Sequence, residues 1–278
     1  MKWQGMHKAR ANCVDCPVLN QGLCGVLRDE EASRLSNVAW HRRFYAGQII
    51  HAEGEKPASF CAVMTGVVKL MKSLPNGNRQ IVGLLLPGDF LGRPFGQNSR
   101  SSAVAATDVR LCWFPRTVVE GLASESRALE RWLFDHVSDE LEKAQDWIVL
   151  LGRMTAEQRI ATFILSVARS TRLGDTAAPE SSGEIRIELP LSRTEIADYL
   201  GLTIETVSRQ IARLRERGVI TVGASRAMII RQPDVLEATL EAGLPGERSK
   251  EHSPNLTYPT AACERQANVF TLPRRPAK

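Results

Sequence analysis

The sequence predicts an α+β fold: an N-terminal antiparallel β-roll, one long dimerisation helix and a C-terminal winged helix-turn-helix. Three observations predict it. Short β-branched runs cut by turn signals fill residues 38–115. An uninterrupted helical periodicity follows from Leu129 to Leu151. The stretch Leu191–Arg209 then reads as two short helices around a tight turn. Ahead of all three stands a cysteine cluster, Cys13-Val14-Asp15-Cys16-Pro17 followed by Cys24, in a chain with 6 cysteines among 278 residues.

In the roll, runs such as Gln48–His51, Cys61–Met64 and Gly66–Met71 are bounded by Ala46-Gly47, Glu53-Gly54, Pro75-Asn76-Gly77-Asn78 and Pro87-Gly88-Asp89. Strands at this spacing form an antiparallel roll or barrel, and Asn76-Gly77 suits a hairpin turn because both residues tolerate positive φ. In the helix, Leu129, Leu133, Val137, Leu141, Ala144, Ile148 and Leu151 are spaced by three or four residues, with no Pro or Gly between them. That spacing suits the seam of a two-stranded coil, so a homodimer is expected, with a long helix packed on its own domain as the alternative. A second helix is expected from Thr155 to about Arg172, with Thr155 as N-cap and Gln158 in the capping-box position. Small and polar residues make 174–183 a loop, Ile185–Leu189 alternates as a strand, and Val219–Val222 with Met228–Ile230 make a wing. From about Gly246 the chain is polar, Pro-bearing and without periodicity, which predicts a disordered tail.

These readings divide the chain into a cysteine-bearing segment 1–30, a β-roll 31–117, a helix 118–152, a DNA-binding domain 153–243 and a tail 244–278. A hydrophobic content of 43% is enough for a buried core, and a formal net charge of +5 permits nucleic-acid binding without requiring it. No apolar run could span a bilayer, and Met1–Lys8 lacks the apolar stretch of a signal peptide, so the expectation is a cytoplasmic protein with no membrane partner. Disulfides seldom persist there, so clustered thiols point to metal or redox chemistry.

Ser192 precedes Glu195 by three residues and opens the first helix of the turn motif as a capping box, and Gly201 supplies the positive φ of the turn. Thr203 caps the second helix and Gly218 ends it. On that helix Val207, Ile211 and Leu214 share one face, while Glu205, Ser208 and Arg209 cluster on the opposite one near the N-terminus. This is where a recognition helix enters the major groove of double-stranded DNA. Arg209 can donate a pair of hydrogen bonds to guanine, Glu205 can accept from cytosine and Ser208 can serve several bases. Arg213, Arg215 and Arg217 suit phosphates or a solvated surface equally. The cysteines follow a C-x2-C-x7-C spacing that suits zinc or an iron–sulfur cluster but needs a fourth ligand. Cys61, Cys112 and Cys263 remain as candidates, and spacing alone does not choose among them.

The order of roll, long helix and winged helix resembles the Crp/Fnr family of bacterial regulators, whose roll is the cyclic-nucleotide-binding type. Glu205-Thr206-Val207-Ser208-Arg209 resembles the recognition helix of its Fnr branch, and the cysteine cluster resembles that branch's N-terminal ligands, FnrL-type proteins of alphaproteobacteria in particular. Gly83–Phe90 and Trp147–Arg153 are further matches, and the resemblance covers about residues 10–243. It implies a fourth ligand late in the roll, at Cys112, and a [4Fe–4S] cluster held by Cys13, Cys16, Cys24 and Cys112. It also implies an oxygen-responsive activator of low-oxygen genes that binds TTGAT-type palindromes as a dimer and works with RNA polymerase. The C-x2-C-x7-C spacing is wider than in the best-known Fnr proteins. In the cyclic-nucleotide branch an acidic residue holds the ribose; here Arg93 takes its place, while Arg100-Ser101 resembles the phosphate contact. The alternatives are a zinc clip with a cyclic-nucleotide-like small molecule as the switch, and a redox enzyme, for which no substrate-site motif is present; the chain is expected not to be an enzyme.

Overall fold

A computed structural model describes residues 9–10, 13, 16–77, 79–93, 96, 98–174, 184–223 and 226–241. The expected tail 244–278 with Cys263, the loop over 175–183, and Val14, Asp15 and Asn78 lie outside the described residues. In chain order the elements are β1 (Ala9–Arg10), α1 (Gly22–Gly25), α2 (Asp29–Ser36), β2 (Trp40–Phe44), β3 (Ile49–His51), β4 (Ser59–Thr65), β5 (Val68–Ser73), β6 (Arg79–Leu85), β7 (Phe90–Leu91), β8 (Ser102–Ala105) and β9 (Val109–Pro115). They continue with α3 (Arg116–Glu125), α4 (Arg127–Arg153), α5 (Ala156–Gly174), β10 (Ile185–Glu188), α6 (Arg193–Leu200), α7 (Ile204–Glu216), β11 (Ile220–Val222), β12 (Ala227–Ile230) and α8 (Pro233–Glu241). The chain forms two units, 1–136 with 189–209 and 137–188 with 210–278.

The first unit holds the roll. One sheet has the order β1-β2-β9-β4-β7 and the other β3-β8-β5-β6, and every described pairing is antiparallel. Side chains of a strand alternate between faces, and β4 and β9 are apolar on both. Cys61, Val63, Val109 and Leu111 join Phe44, Val68, Leu85 and Ala103 in one core. Phe60, Ala62, Met64, Cys112 and Phe114 point the other way, into a second core with Leu23, Leu35, Val119, Leu122, Leu129 and Leu133. That second core is closed by the N-terminal segment, α2, α3 and the start of α4.

The segment 118–152, expected as one helix, is two. The chain leaves α3 at Ser126, which is extended (φ −113°, ψ 107°), and α4 starts at Arg127. Ser126 is buried and its hydroxyl accepts from Leu129 N at 3.5 Å, the geometry of a serine N-cap that starts a new helix. The seam divides with it. Leu129 and Leu133 are buried in the unit's own core, whereas Val137, Leu141 and Ile148 are 61%, 60% and 70% exposed. Phe134 (72% exposed), three residues before Val137 and seven before Leu141, extends that outer stripe by nearly one turn at heptad spacing.

Also in this unit, α6 meets the β5–β6 hairpin. Lys69 of β5, a buried lysine, pairs with Glu195, and Gln80 Nε2 donates to Tyr199 O at 3.3 Å. In the second unit Arg159 of α5 donates to carbonyls at and just past the end of α4, at 2.6 Å to Leu151 O and 3.1 Å to Met154 O. Thr155 and Gln158 form the expected reciprocal cap, at 2.9 and 3.3 Å. A three-stranded sheet of order β10-β12-β11 is the wing with one added strand, and α8, which the sequence reading missed, packs on α5.

Helix α2 is tied down by Glu31. Its carboxylate accepts from Arg28 N at 2.9 Å and from the Arg28 guanidinium at 2.7 Å, and also bonds to Ser126 at the α3–α4 junction. The Arg28 bonds hold the Glu31 carboxyl down at about 2. The folded value lies below the unfolded one (about 4.3). The stabilisation is therefore complete above that pH and is lost as pH falls through the folded value. Glu31→Gln should lower the thermal midpoint at neutral pH. Midpoints measured across a pH series should converge between about pH 4 and 2.

Candidate functional site

The first unit contains a cavity of about 380 Å³. Cys13, Cys16, Cys24 and Cys112 line it together with His41, and its walls include Val18, Leu35, Ala62 and Phe114. Backbone turns place the N-terminal thiols: Cys16 N donates to Cys13 O and Leu19 N to Cys16 O, both at 3.3 Å. Cys24 sits on the single turn α1. Strand register places the fourth. On β9, Cys112 is opposite His41 of β2 and Ala62 of β4, so the three side chains share one face. Cys61 is opposite Trp113, one residue out of step, and faces the other core. Of the two candidates inside the described residues, period-2 alternation therefore brings Cys112 to the N-terminal thiols and keeps Cys61 away.

The described cysteines are free thiols. Burial pushes Cys24 up to about 12, with Cys16 and Cys13 adding to the rise. Cys112 is raised by burial, then by Cys24, Cys13 and Cys16; Cys13 is raised by burial and Cys16. Each thiolate would disfavour the next, as clustered like charges in an apolar site must. Among the described residues no three His, Cys, Asp or Glu side chains stand in an arrangement that would hold a metal ion as they are. The donor set nevertheless fits a thiophilic group: four sulfurs, apolar walls and room for roughly a dozen waters by liquid volume. His41 adds an unusual feature. Its pKa is lowered by burial and by Arg110, and its Nε2 is buried without a hydrogen-bond partner among the described residues.

The turn motif is built as its sequence requires. Glu195 N donates to Ser192 Oγ at 3.3 Å and Ser192 N to Glu195 Oε2 at 2.7 Å, a complete capping box. Gly201 closes α6 in the left-handed region at φ 61°. Thr203 Oγ1 accepts from Thr206 N at 3.3 Å and caps α7. Val207, Ile211 and Leu214 are buried, and Glu205, Ser208 and Arg209 are exposed on the first turns. Glu205 is held below the usual carboxylate range by its own backbone N–H and the Thr203 hydroxyl. Arg209 Nη2 reaches Thr206 Oγ1 at 3.4 Å, which leaves most of the guanidinium's donors for another partner. Arg213 and Arg215 are exposed, but Arg217 is engaged by Glu157. In the roll Arg93 donates to Asn98 O of its own loop at 3.3 Å.

A β-roll followed by a long helix and a winged helix-turn-helix defines the class as a DNA-binding regulator. Residues 41–126 match the cyclic nucleotide-binding domain family and 158–239 the Crp-like helix-turn-helix domain family. The transcriptional activator protein FnrL of Cereibacter sphaeroides is 38% identical over 78% of this chain and 87% of its own. A protein of Rhizobium leguminosarum bv. viciae is 41% identical over 83% of this chain and 93% of its own. The solved structure of FixK2 from Bradyrhizobium japonicum superposes with a TM-score of 0.65 at 33% identity, covering 73% of this chain and 97% of that one. The chain belongs to the Crp/Fnr family and is a transcriptional activator of the FNR/FixK type.

Gly22 opens α1 at φ 55°, and a Cβ there would stand 2.5 Å from Gly88 O. Gly22→Ala should destabilise the first unit by about 1 kcal/mol or more, since both the conformation and the space exclude it. Thermal unfolding checks this, and maleimide labelling under native conditions should show Cys24 more reactive than in the parent.

Proposed function

We propose that this activator is oxygen-responsive and iron–sulfur-dependent, with Cys13, Cys16, Cys24 and Cys112 holding a [4Fe–4S] cluster. The observation that carries the reading is the convergence of the four thiols on one cavity while the buried Cys61 faces away. Similarity to FnrL supports it, and a cavity of about 380 Å³ is larger than a single tetrahedral zinc ion needs. Such a cluster supplies reactivity toward oxygen at a site otherwise made of inert thiols.

The chain's own residues provide the rest. Joining Cys13, Cys16 and Cys24 to Cys112 fixes the N-terminal segment against β9, which continues through Pro115 into α3 and α4. The exposed stripe Val137, Leu141 and Ile148 on α4 then pairs with a second copy, and two α7 helices read half-sites of a TTGAT-type palindrome. Glu205, Ser208 and Arg209 touch the bases. The exposed β5–β6 turn at Asn76-Gly77 is a candidate contact for RNA polymerase, an ordinary solvent turn being the alternative.

Protein purified without air should be brown and carry about four irons per chain. Cys112→Ser should lose iron and visible absorption, and Cys61→Ala should keep both. Zinc in place of iron, without visible absorption, would make the site a structural clip. Iron-free protein that binds its DNA equally well in air would overturn the reading. Arg209→Ala should cost about 1–3 kcal/mol at the specific site and relax the preference at one base pair, as read by binding-site selection.

A further inference from the structure

We propose that His41 is a hydrogen-bond donor to the sulfur shell of the cluster, acting through Nε2–H on the sulfur of the bound Cys112. The inference rests on the four-cysteine reading above and deepens it. His41 is the cross-strand partner of Cys112, so the two side chains leave the same face of adjacent strands. The imidazole lines the same cavity as the four thiols. Its Nε2 is buried and has no hydrogen-bond partner among the described residues.

A buried donor or acceptor without a partner costs about 1–3 kcal/mol, and such atoms in folded proteins require an explanation. Ala62, the other neighbour of Cys112 in the sheet, has no polar side-chain atom to offer. The cavity wall is apolar at Val18, Leu35 and Phe114, and its polar side chains, Gln21, Asp29, Ser33 and Ser36, make no hydrogen bond to His41 Nε2. A Cys112 sulfur that carries negative charge once the group is bound would supply the acceptor on the face that His41 shares with it. Hydrogen bonds to ligand sulfur and the degree of solvent exposure set the potential and the stability of an iron–sulfur centre. A donor from β2 favours the more negative charge state and so opposes oxidation. His41 is therefore a tuning residue, adjacent to the ligands but not one of them.

The full chain, its His41→Phe variant (similar shape, no donor) and its His41→Gln variant (an amide N–H near the Nε2 position) are purified without air. Iron content, the reduction potential of the bound cluster and the rate of bleaching in air are then measured. The expected result is parental iron in His41→Phe, a lower potential and several-fold faster bleaching, with His41→Gln returning both toward the parent. Loss of iron in His41→Phe alone, with parental iron in His41→Gln, also supports a donor role. Parental potential and bleaching in an iron-replete His41→Phe overturns the inference and leaves the four-cysteine reading standing. Loss of iron in both variants overturns it too, since packing and not donation would then be the requirement. Absence of iron from the parent removes the four-cysteine reading itself.

Discussion

The position of β9 between β2 and β4 is the constraint from which the rest follows. Pairing on both edges satisfies the strand's backbone groups and fixes its register from Val109 to Pro115. With the register fixed, each side chain is committed to one of two cores. Val109 and Leu111 fill the interior between the sheets, and Cys112 and Phe114 face the N-terminal segment. A slip of one residue would exchange these faces, burying Arg110 and turning Cys112 away from the other thiols. The cost of misplacing apolar and charged side chains together is what makes one cysteine's orientation reliable.

The same burial gives the site its chemical selectivity. Apolar surroundings and neighbouring thiols keep Cys24 and Cys112 protonated at neutral pH. A thiol in that condition is a poor nucleophile, so the cluster of sulfurs is not a general redox trap. Only a partner that brings positive charge into the cavity makes several thiolates stable at once. Arg110, which lowers His41, is exposed and offers little of that charge to the buried sulfurs. The proposed iron–sulfur cluster would meet the requirement.

Much of this was legible in the sequence because the signals were local. The capping box at Ser192 and Glu195, the turn at Gly201 and the two faces of α7 each depend on residues within a few positions of one another. The roll's strands were legible for the same reason. The break at Ser126 was not, because a serine three residues ahead of the apolar periodicity that begins at Leu129 is equally compatible with one helix or two. Its burial against Glu31, nearly a hundred residues earlier in the chain, decides between them. Phe134 was missed because the seam was counted from Leu129, and only burial separates the part facing the core from the part facing outward. Spacing could not rank Cys61 against Cys112, because that choice is made by strand register, a tertiary property. The role of His41 was invisible for the same reason: residues 41 and 112 become neighbours only through the β2–β9 ladder.

A change at the cysteine site has a physical route to α4. Cys16, Cys24 and Cys112 contact the same apolar core that buries Leu129 and Leu133 on the first two turns of α4 and Val119, Leu122 and Ala123 on α3. Close-packed interiors have low compressibility and transmit strain between the elements packed on them. Helix α4 is the element with the least to lose at its outer face, where its apolar stripe is already exposed. In the proposed reading, a shift of its first turns would alter which heptad residues face outward, and with them the affinity for a second copy. Coupling of this kind needs a two-state element biased at one end and read at the other. The break at Ser126 makes α4 a separate lever from α3, held at its base by the core that surrounds the thiols.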